Sequence, residues 1–176
     1  MIRQIILLIL GLVLSLNCHA QIMTIINSTW TPTPNAITEA GNNYTSSTIT
    51  NASYITYIYI TMPGIYSGSD ATANHYTVQI KRTDSGLNWD TVGLTISATR
   101  TGNGTGGGSS ILGTSMITGG TSPLPITISN QYFFDGNNYG TTPRINIPIQ
   151  YEIGGISVLL PVNIYSTTIT YTLIDN

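Results

Sequence analysis

The segment "RINIPIQYEI", residues 144–153, constrains the fold more than any other, because apolar and polar residues alternate through it with a period of two. Ile145, Ile147, Ile149, Tyr151 and Ile153 fall to one side, Asn146, Pro148, Gln150 and Glu152 to the other. A β-strand turns successive side chains to opposite faces in this way. Pro148 donates no N–H, so the strand is expected to have a free side there. The same period recurs. "YTVQIKR" sets Tyr76, Val78 and Ile80 against Thr77, Gln79 and Lys81, and "DTVGLTISAT" turns Val92, Leu94, Ile96 and Ala98 inward. The closing "YSTTITYTLIDN" has Ile169, Tyr171 and Leu173 on one face and Thr168, Thr170 and Thr172 on the other. "MTIINSTW", "TITNASYITYIYITM", "ILGTSMI" and "LPITISNQYFF" add further strand-like runs, separated by Gly, Asn, Asp and Pro clusters. No stretch after residue 20 has a helical period. The pattern predicts an all-β fold: a single antiparallel β-sandwich, Ig-like or pilin-like, of about seven to nine strands.

The first 20 residues are expected to be a signal peptide. Arg3 precedes an apolar run from Ile5 to Leu16, and "CHA" places small residues before a cut after Ala20. The run is shorter than the about 20 apolar residues that span a bilayer. Cys18 offers a lipoprotein alternative, but Ser15 and Asn17 stand where such sites favour Leu and a small residue. Residues 21–35 then read as an N-terminal arm or first strand with a Pro-rich hinge, and 36–176 as the sandwich domain. Cleavage would remove the only cysteine, leaving packing without a disulfide.

Charged residues are 7% of the chain, against roughly 25% in ordinary soluble domains. Beyond residue 20 the basic side chains are Lys81, Arg82, Arg100 and Arg144, too few to track a phosphate backbone, so nucleic acid is not an expected partner. A surface of Thr, Ser, Asn and Gly repels its own copies weakly, which favours association.

Two stretches resemble the paired signature of bacterial WxL cell-surface domains. "VGLTISAT" and "TTITYTLIDN" keep Leu94 and Leu173, with Val92 and Tyr171 where that family has tryptophan. The terminal strand is also similar to those of spore-coat-U and chaperone–usher pilin sandwiches. The resemblance implies a secreted bacterial sandwich, and for the pilins a fibre subunit.

Catalysis has little to stand on. A nucleophile needs a base, and after residue 20 the chain has one histidine, His75, and no cysteine. The acids are scattered, mostly in turn-like sequence. "GNGTGGGSS" has the glycine content of a phosphate loop but no Gly-Lys-Ser/Thr, and reads as a flexible hairpin connection. Across Asp135–Asn138, Asp135 and Asn137 could offer oxygen to calcium, but one carboxylate makes a weak site and Asp-Gly is an ordinary turn pair. No enzyme activity, cofactor or metal is therefore expected.

The expected function is that of a secreted structural or adhesive surface subunit, such as a fibre subunit, assembling by β-strand addition. Its partners would be further copies or other surface subunits. The assembly strand would be the arm, through Ile22, Thr24, Ile26 and Trp30, with the last strand closing the domain's own sheet. The alternative is a monomeric carbohydrate- or cell-wall-binding module using Tyr57, Tyr59, Trp89 or Tyr132. For Tyr57 and Tyr59, burial between sheets is the preferred reading.

Overall fold

The computed structural model describes residues 21–33, 48–52, 55–61, 75–110, 113–139, 142–157, 159–161 and 163–176. The expected export segment with Cys18, residues 34–47 and the loop expected after Pro63 lie outside them. In chain order the strands are β1 (Ile22–Ile26), β2 (Ile49–Thr50), β3 (Thr56–Thr61), β4 (His75–Ser85), β5 (Thr95–Arg100) and β6 (Thr105–Gly106). They continue as β7 (Ser109–Ser110), β8 (Gly113–Thr114), β9 (Ile117–Gly119), β10 (Leu124–Pro125), β11 (Gln131–Asn137), β12 (Arg144–Gly154) and β13 (Ser166–Asp175). One helical turn, α1 (Trp89–Val92), precedes β5.

The strands form two main antiparallel sheets. The first runs β1-β3-β12-β5-β10, with β2 and β6 also paired to β12; the second runs β13-β4-β11-β9. β7 and β8 make a separate hairpin-like pair. Alternation dictates which faces meet. Ile58 and Ile60 of β3, Ile147, Ile149, Tyr151 and Ile153 of β12, and Ile96 and Ala98 of β5 are buried from the first sheet. Tyr76, Val78 and Ile80 of β4 and Phe133 and Phe134 of β11 are buried from the second, and all belong to one apolar cluster. Each fully buried Ile or Phe contributes about 1.5–3 kcal/mol relative to exposure.

Two bulges interrupt the period. Phe133 and Phe134 are neighbours yet both buried, because the β11–β4 register shifts between Tyr132 and Phe134. Their rings meet edge-to-face at 5.3 Å. In β12 the register against β3 shifts between Arg144 and Ile147, and Asn146 takes φ 57°. Asn tolerates this left-handed conformation better than most side chains. The slip corrects the expected inward face: Ile145 is half-buried, and Arg144 takes the interior position.

Pro148 also departs from expectation. β12 lies between β3 and β5 rather than at an edge. Pro148 pairs with Tyr57 on one side, and its carbonyl accepts from the Thr101 N–H at 3.0 Å on the other. A strand residue points its N and its carbonyl the same way. The missing N–H therefore falls just beyond Arg100, where β5 has ended, and costs no ladder bond.

The segment expected as a continuous strand from Asp90 is instead α1 followed by β5. Asn88 caps the turn by accepting from the Asp90 N–H at 2.8 Å. Gly93, at φ 76°, ends it in the left-handed conformation. Val92 therefore lies on a helical turn, half-buried, while Leu94 is buried just ahead of β5.

Candidate functional site

The outer strands of the two sheets, β1 and β13, border one cleft of about 830 Å³. Met23 and Ile25 of β1 form one wall, continued by Ser28 to Pro32. Ser166 to Tyr171 of β13 form the other, with Ile164 at 85% exposure beside it. Trp89, Ile96, Tyr151 and Ile153, all buried, line it from the core. Its size is that of a ligand pocket, and its lining contains no Asp, Glu, Lys, Arg or His.

β13 is the longest outer strand. Its ten residues pair with β4 from Ser166↔Ser85 to Asp175↔Tyr76, and no other described strand pairs its second edge. At the far end of these strands Gln21 Nε2 donates to Asp175 Oδ1 at 2.7 Å, and the Asn176 N–H donates to the His75 carbonyl at 3.1 Å.

The polar groups at the cleft are neutral, most of them hydroxyls of Ser, Thr and Tyr. Tyr151 Oη and Tyr171 Oη lie 2.6 Å apart in one hydrogen bond. Burial pushes both phenols up, that of Tyr171 well above its ordinary value, so both stay protonated in neutral solution. The Trp89 indole N–H is buried and has no acceptor among the described residues. Trp89 itself is held from outside the cleft. Its backbone N–H donates to Asp84 Oδ2 at 3.2 Å, and Arg82 bridges Asp84 to Asp90. Burial alone would raise the Asp84 carboxyl, but hydrogen bonds from Arg82, Thr167 and the Trp89 N–H hold it below its ordinary value.

A second polar cluster caps the other end of the strands. Arg100 and Arg144 are buried, and no carboxylate pairs with either among the described residues. Arg100 donates to the Gly119 carbonyl through Nε and Nη2 and to the Gly102 carbonyl through Nη1, at 2.7–2.9 Å, and to Asn103 Oδ1. Arg144 donates to Ser115 Oγ. The Gly-rich stretch thus wraps these two cations, with the Gly107 N–H bonded to the Pro143 carbonyl and the Tyr139 N–H to that of Gly107. This replaces the expected free hairpin connection: a Cβ at Gly107 would meet Arg144 Nη2 at 2.5 Å. Beside them burial pushes the Tyr76 phenol up to about 12.

The residues singled out from sequence are dispersed. Tyr57 and Tyr59 lie on the outer face of β3, half-buried, which corrects the reading that places them between sheets; Tyr59 donates to Asn146 Oδ1 at 2.5 Å. Tyr132 is half-exposed on β11 of the other sheet. Trp89 is only 3% exposed and offers no surface platform. Ile22, Thr24 and Ile26 are exposed on β1, while Trp30 packs on the core and lines the cleft. The arm does not project: β1 pairs with β3 from Ile22↔Thr61 to Ile26↔Tyr57. Tyr171 and Leu173 sit on β13, packed against the core. His75 is exposed at the start of β4. Asp135 lies within β11, not in a turn, and accepts from Thr77 Oγ1 at 2.6 Å, while Asn137 Oδ1 accepts from the Met116 N–H at 2.7 Å. Sequence reading took Tyr151, Ile153 and Ile96 as core alone; nothing local signals that they also line a cleft.

Comparison with protein-family models, with curated proteins and with solved structures finds no match.

Proposed function

We propose that this chain is an exported, non-enzymatic β-sandwich acting as a structural or adhesive surface subunit, and that copies associate by strand addition. An extended segment of one copy lies along the open edge of β13 in the next, with alternate side chains entering the cleft. The observation that carries this reading is a ten-residue edge bordering an uncharged apolar cleft. Main-chain hydrogen bonds to the edge supply affinity, and cleft contacts supply selectivity. The favoured donor is Gln21–Trp30. Because β1 is already paired to its own β3, the arm must leave that pairing to be donated.

Size-exclusion chromatography over a concentration series tests this. The unaltered protein is expected to form larger species as concentration rises. A Thr168→Lys, Thr170→Lys variant, which charges the edge strand, is expected to stay monomeric with an unchanged far-ultraviolet spectrum. A monomer at every concentration would refute self-association.

The carbohydrate-binding reading draws on the outer face of the first sheet. There Ile26 lies opposite Tyr57, and Thr24 opposite Tyr59, on neighbouring strands. A monomer whose elution shifts only with added glycan would favour it.

A further inference from the structure

What an edge strand offers a neighbour depends on which of its residues already bond inward. In an antiparallel pair, opposed residues alternate between those that exchange both main-chain hydrogen bonds and those that exchange none. The Asn176 N–H donates to the His75 carbonyl, so in the β13–β4 register the even-numbered residues of β13 bond toward β4. The odd positions agree. Arg82, opposite Ile169, sends its N–H the other way, to the Thr127 carbonyl at 2.9 Å. Thr167, Ile169, Tyr171 and Leu173 therefore direct their N–H and carbonyl groups to the open edge, where no described strand meets them. Ile169, Tyr171 and Leu173 pack their side chains on the core, which leaves Thr168, Thr170 and Thr172 on the outer face.

A donated arm has first to leave β3, whereas β13 is already extended and needs no release. We infer that two copies join through β13 itself, antiparallel about a two-fold axis at Thr170, so that their second sheets become one continuous sheet. This rests on the strand-addition reading above and takes β13, in place of the arm, as the added strand. A two-fold interface is self-complementary: residue i meets j, and j meets i. The outward-directed residues must also face one another, which places the axis at a residue rather than between two. The uncharged run Ser166–Ile174 has Thr170 at its centre, so this axis matches the run to itself and leaves each Asp175 beyond it. Moving the axis to Tyr171 would draw both Asp175 carboxylates into the pairing, opposite Thr167. With the axis at Thr170, Thr167 meets Leu173 and Ile169 meets Tyr171, for about eight main-chain hydrogen bonds. Ile169 against Tyr171 is a favourable pairing of a β-branched residue with an aromatic one. On the outer face Thr170 meets its own copy, and Thr168 meets Thr172. The two Lys81 side chains, opposite Thr170 on β4, stand about 14 Å apart across three strand spacings, where salt screens their repulsion.

The test places single cysteines in the full chain on a Cys18→Ser background, since Cys18 is its only cysteine. Thr170 and its copy form a non-hydrogen-bonded pair, with Cα atoms about 4.5 Å apart and within disulfide reach. Thr168 lies about 14 Å along the strand from its own copy, but directly opposite Thr172 of the second one. Under mild oxidation Thr170→Cys is expected to give a linked dimer at least about tenfold faster than Thr168→Cys or Thr172→Cys alone, because only it falls within that reach. Mixing the last two should link one to the other. Equal linking by all three variants, or faster linking by Thr168→Cys or Thr172→Cys alone, overturns the register. If no variant or mixture links while the unaltered protein still forms larger species with concentration, β13 is not the added strand and strand addition stands. An unaltered protein that stays monomeric at every concentration overturns both.

Discussion

Asp84→Asn isolates the support beneath Trp89. Arg82 is 3% exposed and donates through Nε to the Ile126 carbonyl at 2.9 Å, so its charge relies on Asp84 and Asp90 for compensation. Asp84 is 8% exposed and Asp90 61% exposed, which makes Asp84 the better-shielded partner. Hydrogen bonds to charged groups contribute about 1.5–3 kcal/mol each. Asn retains one acceptor oxygen, and Asp90 still holds Arg82, so the full penalty of about 3–5 kcal/mol for orphaning a buried charge does not apply. The expected loss is about 2 kcal/mol, or about 1 M in the urea midpoint at unchanged slope. The pH dependence supplies the sign. The Asp84 carboxyl is held below its ordinary value of 3.8, so its contribution is present above that value and lost as pH falls through the lowered one. The gap between the unaltered protein and the variant should therefore close in that acid range. A loss under about 0.5 kcal/mol, the scale of an exposed pair, would refute the argument. So would a gap that persists in acid.

Three further outcomes follow from the same reasoning. Tyr76 is pushed up to about 12 by burial, and Tyr151 and Tyr171 are raised as well, so stability is fully present below the unfolded value of 10 and lost as pH rises above it; ultraviolet titration should show these phenols lagging the exposed ones. Gly93→Ala places a side chain at φ 76°, where nothing crowds it, so the cost is conformational, about 1 kcal/mol by thermal unfolding. Arg100→Met strips the donors from the Gly102 and Gly119 carbonyls and is expected to cost about 3 kcal/mol or more in chemical denaturation, with a neutral result refuting the role of that guanidinium.

Alternation made most of the core legible. Tyr76, Val78 and Ile80, Ile96 and Ala98, and Ile147, Ile149, Tyr151 and Ile153 are buried on the faces their spacing assigns. It also carried a signal that went unread: Arg82 and Arg100 stand in phase with those apolar residues, and a long cation in phase with a core face is placed to cap its end. α1 is four residues, shorter than any helical period can register. The bulges at Phe133 and Asn146 shift phase by one residue, which a fixed period cannot anticipate. The cleft was least legible. Its walls come from opposite ends of the chain, β1 and β13, and only the sheet order brings them to one side.

The way the outer strands are protected bears on what the molecule does. Exposed sheet edges are normally blunted by shortness, charge or proline, because an open edge templates aggregation. Here β10 is two residues long and contains Pro125, and β9 is three residues long. β13 has none of these devices from Ser166 to Ile174: no proline, no ionisable group except the half-buried Tyr171, and no covering strand among those described. Three of the four basic residues after position 20, Arg82, Arg100 and Arg144, are meanwhile buried, where they cannot repel a neighbour. Among the outer strands, β9 and β10 are guarded in this way, whereas β1 and β13, which border the cleft, carry no proline and no charge from Ile22 to Ile26 or from Ser166 to Ile174; under the proposed function these are the edges open to pairing. The charge added by Thr168→Lys and Thr170→Lys supplies the missing guard, which is why that variant, rather than a core substitution, separates association from folding.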